Sequence, residues 1–294
     1  MKTAVLKVLK IILKTIKITF CVIISLLLTY SVVFSLVGTI VLIQSYRYLM
    51  QPIRKVQYFK SYNPKETAFM EKYRLELRDL NQPDSLQHIF VPFDSISPFL
   101  KSAVLAAEDD GFYTHPGIDV DAILQASEYN RSHGEFKRGG STITQQLAKN
   151  LFLSKEKSFQ RKAMELAFAL LMEHYLGKQR IFELYLNYAQ WGKNIFGCEA
   201  ASQFYFKKSS KDLNRMEAAR LAAVLAMPSK LTPFHKTMFM NKRISTIATN
   251  LYYHKTIDAE AYFGMTGTIP PSKDSTSVPV ERTRRQDSAE RTSF

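Results

Sequence analysis

Between Lys17 and Arg47 the chain carries no charged side chain, and positions 18–43 form an almost unbroken apolar run. A helix of those 26 residues, rising about 1.5 Å per residue, crosses a hydrocarbon core of about 30 Å with some tilt. A cleavable signal peptide has a shorter apolar core and a small-residue cleavage site, and neither is evident, so the run reads as an anchor. Lys2, Lys7, Lys10, Lys14 and Lys17 precede it without an acid. By the positive-inside rule, residues 1–17 are cytoplasmic and everything after the span lies outside. The expectation is a single-pass protein of the inner (cytoplasmic) membrane with its domain on the periplasmic or external side.

Charge narrows the class further. The 40 Lys and Arg exceed the 26 Asp and Glu, for a formal net charge of +14. Such an excess suits nucleic acid, anionic lipid or a phosphorylated substrate. Within residues 136–180 nine basic side chains face three acidic ones, so much of the excess is gathered in one stretch. That stretch lacks interleaved aromatics and lies outside the cell, which argues against nucleic acid. Cys21 falls in the span and Cys198 has no partner, which excludes a disulfide framework. The 12% aromatic content excludes a wholly disordered chain.

Residues 44–90 read as a connector, of which the charged, aromatic-containing stretch 46–81 is expected to form a stalk that packs on the domain. From Val91 the pattern becomes regular. Ser97-Pro98 starts a helix that ends near Asp110, with Pro at the first helical position. A polar stretch broken by glycines follows, with a short helix near 120–129. Ser141 or Thr142 caps the next helix, and Gln145 stands at capping-box spacing from Thr142. Further helices are expected over 158–176, 178–189, 197–205 and 214–227. No stretch alternates like a strand, so residues 91–269 are expected to be mainly α. The Ser, Thr, Pro and Arg rich segment 270–294 is expected to be disordered.

Three features carry possible chemistry. Glu108-Asp109-Asp110 closes an apolar helix, where acids oppose the macrodipole, and a costly placement of this kind hints at function. If the helix buries its apolar face, a carboxylate beside Phe112 would be pushed up toward a range useful for proton transfer. A solvated helix end explains the cluster equally well. Gly139-Gly140-Ser141-Thr142 opens a helix whose N–H groups suit an anion, although a plain cap has the same sequence. Lys137, Arg138, Lys149, Lys155, Lys157, Arg161 and Lys162 surround that loop in sequence. Finally, Lys157, Arg161 and Glu165 share one helix face if the helix starts early, and Glu173 continues it as a catalytic face or a salt-bridge stripe. His115 and His174 have no second ligand at metal spacing, so no metal site is read.

The stretch Glu108-Asp109-Asp110-Gly111-Phe112-Tyr113-Thr114-His115-Pro116-Gly117 fits the E-D-x-x-F-x-x-H-x-G signature of the peptidoglycan glycosyltransferases of family 51. Residues 138–150 resemble that family's second motif, Arg161-Lys162-Ala163-Met164-Glu165 its R-K-x-x-E motif and Glu183-Leu184-Tyr185-Leu186-Asn187 its fourth. The resemblance spans residues 91–234, in order. It implies a lysozyme-like helical domain with a small membrane-proximal jaw, preceded by one transmembrane helix. The short sequence after the match points to a monofunctional biosynthetic transglycosylase.

What the resemblance implies for chemistry is polymerisation of lipid II into β-1,4 glycan strands with release of undecaprenyl pyrophosphate. Glu108 would be the general base and Glu165 would serve the donor side. Ser141, Thr142, Gln145 and Gln146 would line the cleft, while Lys149, Lys157, Arg161 and Lys162 would neutralise the leaving pyrophosphate. His115 would support its loop. Lys157 stands where relatives commonly have Arg, keeping charge without the fork. No obligatory cofactor is implied; a divalent cation, Mg or Mn, is the one group that would bridge the pyrophosphate at Glu165. The implied partners are lipid II, the growing glycan strand, membrane lipids and cell-wall synthesis proteins. The alternatives are a lysozyme-like hydrolase, which needs no basic cluster between its acids, and an idle membrane scaffold, against which the intact Glu108 and Glu165 speak.

Overall fold

The computed structural model describes residues 2–133, 139–153 and 158–272, leaving out the side chains of 2–11, Leu49 and His133. It divides into two compact units, residues 1–55 and 56–294. The first is a helix, α1 (Lys2–Tyr58), whose last turn belongs to the second unit. From Ile12 onward it is long and apolar enough to cross a membrane, alone in this among the described residues. Its side chains stand exposed there, Phe34 at 72%. The hydroxyls of Thr19, Thr29 and Thr39 each donate to the carbonyl four residues earlier, so these polar groups are satisfied within the helix itself.

The second unit is built from helices α2 (Ala68–Asp79), α3 (Pro98–Glu108), α4 (Val120–His133), α5 (Ile143–Phe152), α6 (Phe159–Tyr175), α7 (Lys178–Tyr188), α8 (Cys198–Phe206), α9 (Arg215–Val224), α10 (Met238–Tyr253) and α11 (Ala259–Thr266). The apolar face of α5 is its centre: Ile143, Leu147, Ala148 and Leu151 are buried where α2, α6 and α7 converge. On the other side α3 packs against α9 and α10. Caps fix where the helices begin. Ser97 caps α3, Thr142 and Asn214 form capping boxes with Gln145 and Glu217, and Ser158 caps α6. The α6 cap places the helix start after Lys157, not at it.

Part of the connector belongs to this unit. Val56 and Met70 are buried in its core, and Arg180 donates to the carbonyls of Phe59 and Tyr62. Glu183 and Asn187, one turn apart on α7, clamp the segment before α3. Glu183 accepts from the Phe93 N–H at 2.8 Å, while Asn187 both accepts from and donates to the backbone of Val91.

Against expectation, a small sheet is present. β1 (Gln87–His88) pairs parallel with β3 (Ile195–Phe196), which pairs antiparallel with β2 (Gln190–Gly192). Strands of two or three residues are too short to show a period of two, which hides them in the sequence. Their turn contains Asn194 at φ 62°, a left-handed position that Asn tolerates. Helices α10 and α11 were also not anticipated. The segment 273–294, expected to be disordered, lies outside the described residues.

Candidate active site

Helix α3 ends on Glu108, and the chain turns sharply through Asp109 at the C-cap. The opposition of these acids to the α3 dipole is offset by a second helix. Asp109 is buried, and its Oδ2 accepts the N–H of Ile143 at 2.9 Å, the first residue of α5. Its Oδ1 pairs with His115 Nε2 at 2.9 Å, and His115 Nδ1 accepts from the Gly117 N–H. With Nδ1 accepting, Nε2 carries the proton and donates to Asp109. Burial raises the Asp109 carboxyl above its usual range, and the bonds from His115 and Ile143 oppose the rise. The sequence argument for a raised carboxyl near Phe112 therefore falls on Asp109, a structural acid.

Two contacts hold Glu108 itself. Arg243 Nη2, from α10, lies 2.6 Å from Oε1, and Gln146 Nε2, from α5, donates to Oε2 at 3.0 Å. Glu108, Asp110 and Arg243 line a cavity of about 390 Å³ together with Gly139, Gly140, Ser141 and Thr142 from the loop before α5. Gly140 is needed here, because a Cβ would stand 2.8 Å from the Cα of Ile123 in α4. The loop and α4 thus touch backbone to backbone.

Glu165 is buried on α6 with Lys162 Nζ 2.5 Å from Oε1 and Arg161 Nη1 3.2 Å from Oε2. Lys162 also donates to Ser141 Oγ at 3.5 Å, tying this second acid to the rim of the cleft. Lys149 stands in the field of both glutamates and both α6 cations. Burial lowers its ammonium, Glu165 and Glu108 pull it up, and Arg161 and Lys162 push it down. Among the described residues it has no acid partner of its own. Glu173 lies on the structural side of the two readings of its face: it receives the Thr144 hydroxyl at 2.6 Å and Lys178 at 2.8 Å.

Not every expected cleft residue faces the cleft. Ser141 is exposed at the rim. Thr142 lines it, yet its hydroxyl donates to the Gly117 carbonyl at 2.6 Å and receives Gln145 N–H. Gln145 is fully buried, its Oε1 receiving Thr142 N–H at the helix start, while its Nε2 has no partner among the described residues. Gln146 is engaged at both ends of its amide, by Glu108 and by the Tyr185 hydroxyl at 3.0 Å. Lys157, like Lys137, Arg138 and Lys155, lies outside the described residues.

Both Glu165 oxygens face cations, so a divalent cation bound there would have to take the place of Lys162 or Arg161. Arg243 escaped the sequence reading, since it lies beyond the last motif recognised there. The Lys242-Arg243 pair within an otherwise weakly charged helix was the available signal.

Comparison with known proteins places this geometry. Residues 76–252, which take in α3 to most of α10, match the family described as Transglycosylase. The chain is 45% identical over 190 residues to a biosynthetic peptidoglycan transglycosylase of Paraburkholderia xenovorans (strain LB400), covering 64% of this chain and 79% of that one. It is 44% identical over 189 residues to the protein of the same name from Burkholderia orbicola (strain MC0-3), covering 64% and 77%.

Proposed function

The chain belongs to the transglycosylase family and is a peptidoglycan glycosyltransferase, and from that premise we propose that it polymerises lipid II with Glu108 as its base. One observation carries the assignment of the base. Glu108 stands partly exposed on the wall of the cleft, while Asp109 is buried against His115 and the start of α5 and Glu165 is enclosed by the cations Lys162 and Arg161.

The reaction proceeds as a single displacement. Glu108 takes the proton from the 4-hydroxyl of the acceptor GlcNAc as that oxygen attacks C1 of the donor MurNAc. The bond from C1 to the pyrophosphate oxygen breaks, C1 inverts to a β-1,4 link, and undecaprenyl pyrophosphate leaves. Negative charge grows on the leaving group, and Lys149 together with Arg161 and Lys162, which Glu165 holds, meets it, Lys157 being the further cation that the motif resemblance implies. Being preset, they cost little reorganisation at the moment of transfer. Glu165 keeps Arg161 and Lys162 in register with one another. The cations fill the role a bridging metal would have, and no step is assigned to one.

The N-terminal helix supports a membrane-anchored enzyme. The lysine distribution before the span favours a single pass through the cytoplasmic membrane with the domain outside, next to membrane lipids and beside cell-wall synthesis proteins. Lipid II and the growing strand then meet the cleft at the membrane they are embedded in.

The test is polymerisation of lipid II in detergent by the full chain. Glu108→Gln is expected to lower turnover by about 10²–10⁴-fold, the usual contribution of general base catalysis, with an unchanged circular dichroism spectrum. Wild-type turnover in Glu108→Gln removes the assignment. Shortening of preformed glycan without consumption of lipid II would mark a hydrolase instead.

A further inference from the structure

We propose that Tyr185 is a positioning residue for this reaction, its hydroxyl holding the Gln146 amide and that amide in turn holding Oε2 of Glu108. The inference rests on the reading of Glu108 as the base and adds a residue that touches neither sugar nor phosphate.

The chain of contacts is short and directional. Tyr185 Oη donates to Gln146 Oε1 at 3.0 Å, and Gln146 Nε2 donates to Glu108 Oε2 at 3.0 Å. A carboxylate only accepts, so the amide nitrogen must face Glu108 and the amide oxygen must face away. That oxygen needs a donor in a half-buried place, and the tyrosine supplies it. Complete burial pushes the Tyr185 hydroxyl well above its usual range, with the Glu108 charge adding to the rise, so the hydroxyl stays a donor at any working pH.

Helix α7 explains why the tyrosine is fixed. Glu183 and Asn187 occupy one face and are clamped by Phe93 and Val91. Tyr185, two residues from each, lies about 200° round the helix, on the face that packs against α5. The same helix is thus stapled on one side and reaches the base on the other. Without the hydroxyl, the Gln146 oxygen loses its donor, and the amide is free to turn from Glu108 toward other partners.

The proposal is tested with the full chain in a lipid II polymerisation assay, alongside melting curves. Tyr185→Phe is expected to lower kcat by about ten- to hundredfold, the factor carried by a hydrogen bond to a charged group, with KM for lipid II unchanged. Gln146→Met should lose the same factor, and the double variant no more than either single one. A merely structural tyrosine would lower the melting temperature and act independently of residue 146, so single-variant losses that multiply overturn the proposal. Wild-type kcat in Gln146→Met overturns it as well, even if Tyr185→Phe were to fold poorly. Glu108→Gln separates the two readings. If it is inactive while Tyr185→Phe is fully active, positioning alone fails; if it is active, the base assignment fails.

Discussion

Arg243 Nη2 stands 2.6 Å from Oε1 of Glu108, joining residues 135 apart in sequence across the seam between α3 and α10. With Gln146 on the other oxygen, the Glu108 carboxylate cannot rotate without breaking a charge-assisted bond. Arg243→Ala is expected to lower kcat for lipid II by about ten- to hundredfold, the factor such a bond carries. Arg243→Lys keeps the charge without the fork and should fall between the two. Steady-state polymerisation kinetics check both.

Lys149 sets function against stability. Its folded-state pKa is lowered by burial, so the charged form is less favourable in the fold than in the unfolded chain, where it titrates near about 10.4. At neutral pH that charge therefore costs stability. Lys149→Met is expected to melt above the wild type while losing lipid II polymerisation. The excess in melting temperature should hold across the neutral range and shrink as the pH rises past the lowered pKa toward the unfolded value. Melting curves from pH 6 to 10 read the sign directly.

Asn187 carries a load that its place in a family motif conceals. Its side chain accepts Val91 N–H and donates to the carbonyls of Val91 and Glu183. Asn187→Ala leaves the N–H and C=O of Val91 without these partners at about 1–3 kcal/mol each where water cannot replace them, while the Glu183 carbonyl keeps its helical donor, so a loss of about 2–6 kcal/mol is expected. Thermal unfolding of the detergent-solubilised chain measures it.

Ser141 and Gln145 are expected to separate cleanly. Gln145→Leu removes half of the capping box, worth about 1 kcal/mol, and should lower the melting point by about 2–4 °C with KM for lipid II unchanged. Ser141→Ala should raise KM and leave the melting point alone, because Ser141 is exposed at the rim beside Lys162.

The parts of this site legible in the sequence are those set by local order. The starts of α3, α5 and α9 followed from caps, and the pairing of Arg161 with Glu165 from a spacing of four, whereas Lys162 on the other Glu165 oxygen was not read. Gln145 shows where local reading and resemblance conflicted. Its capping-box spacing assigned the side chain to the helix start, where its Oε1 is found, while the cleft role rests on the motif alone. What local order cannot show is which distant element closes on a residue. Asp109 and Glu108 are adjacent, yet one turns inward to the start of α5 while the other meets α10. Nothing in one dimension distinguishes those fates. Arg243 was hidden for the same reason.

Asp109 binds the end of one helix to the start of another, so the placement of Glu108 depends on where the loop before α5 sits. Transplanting Glu108 into another helical scaffold would fail without Asp109, His115 and the α5 start alongside it. A side chain at position 140 would push the loop from Ile123 of α4 and so shift the start of α5, and Glu108 with it.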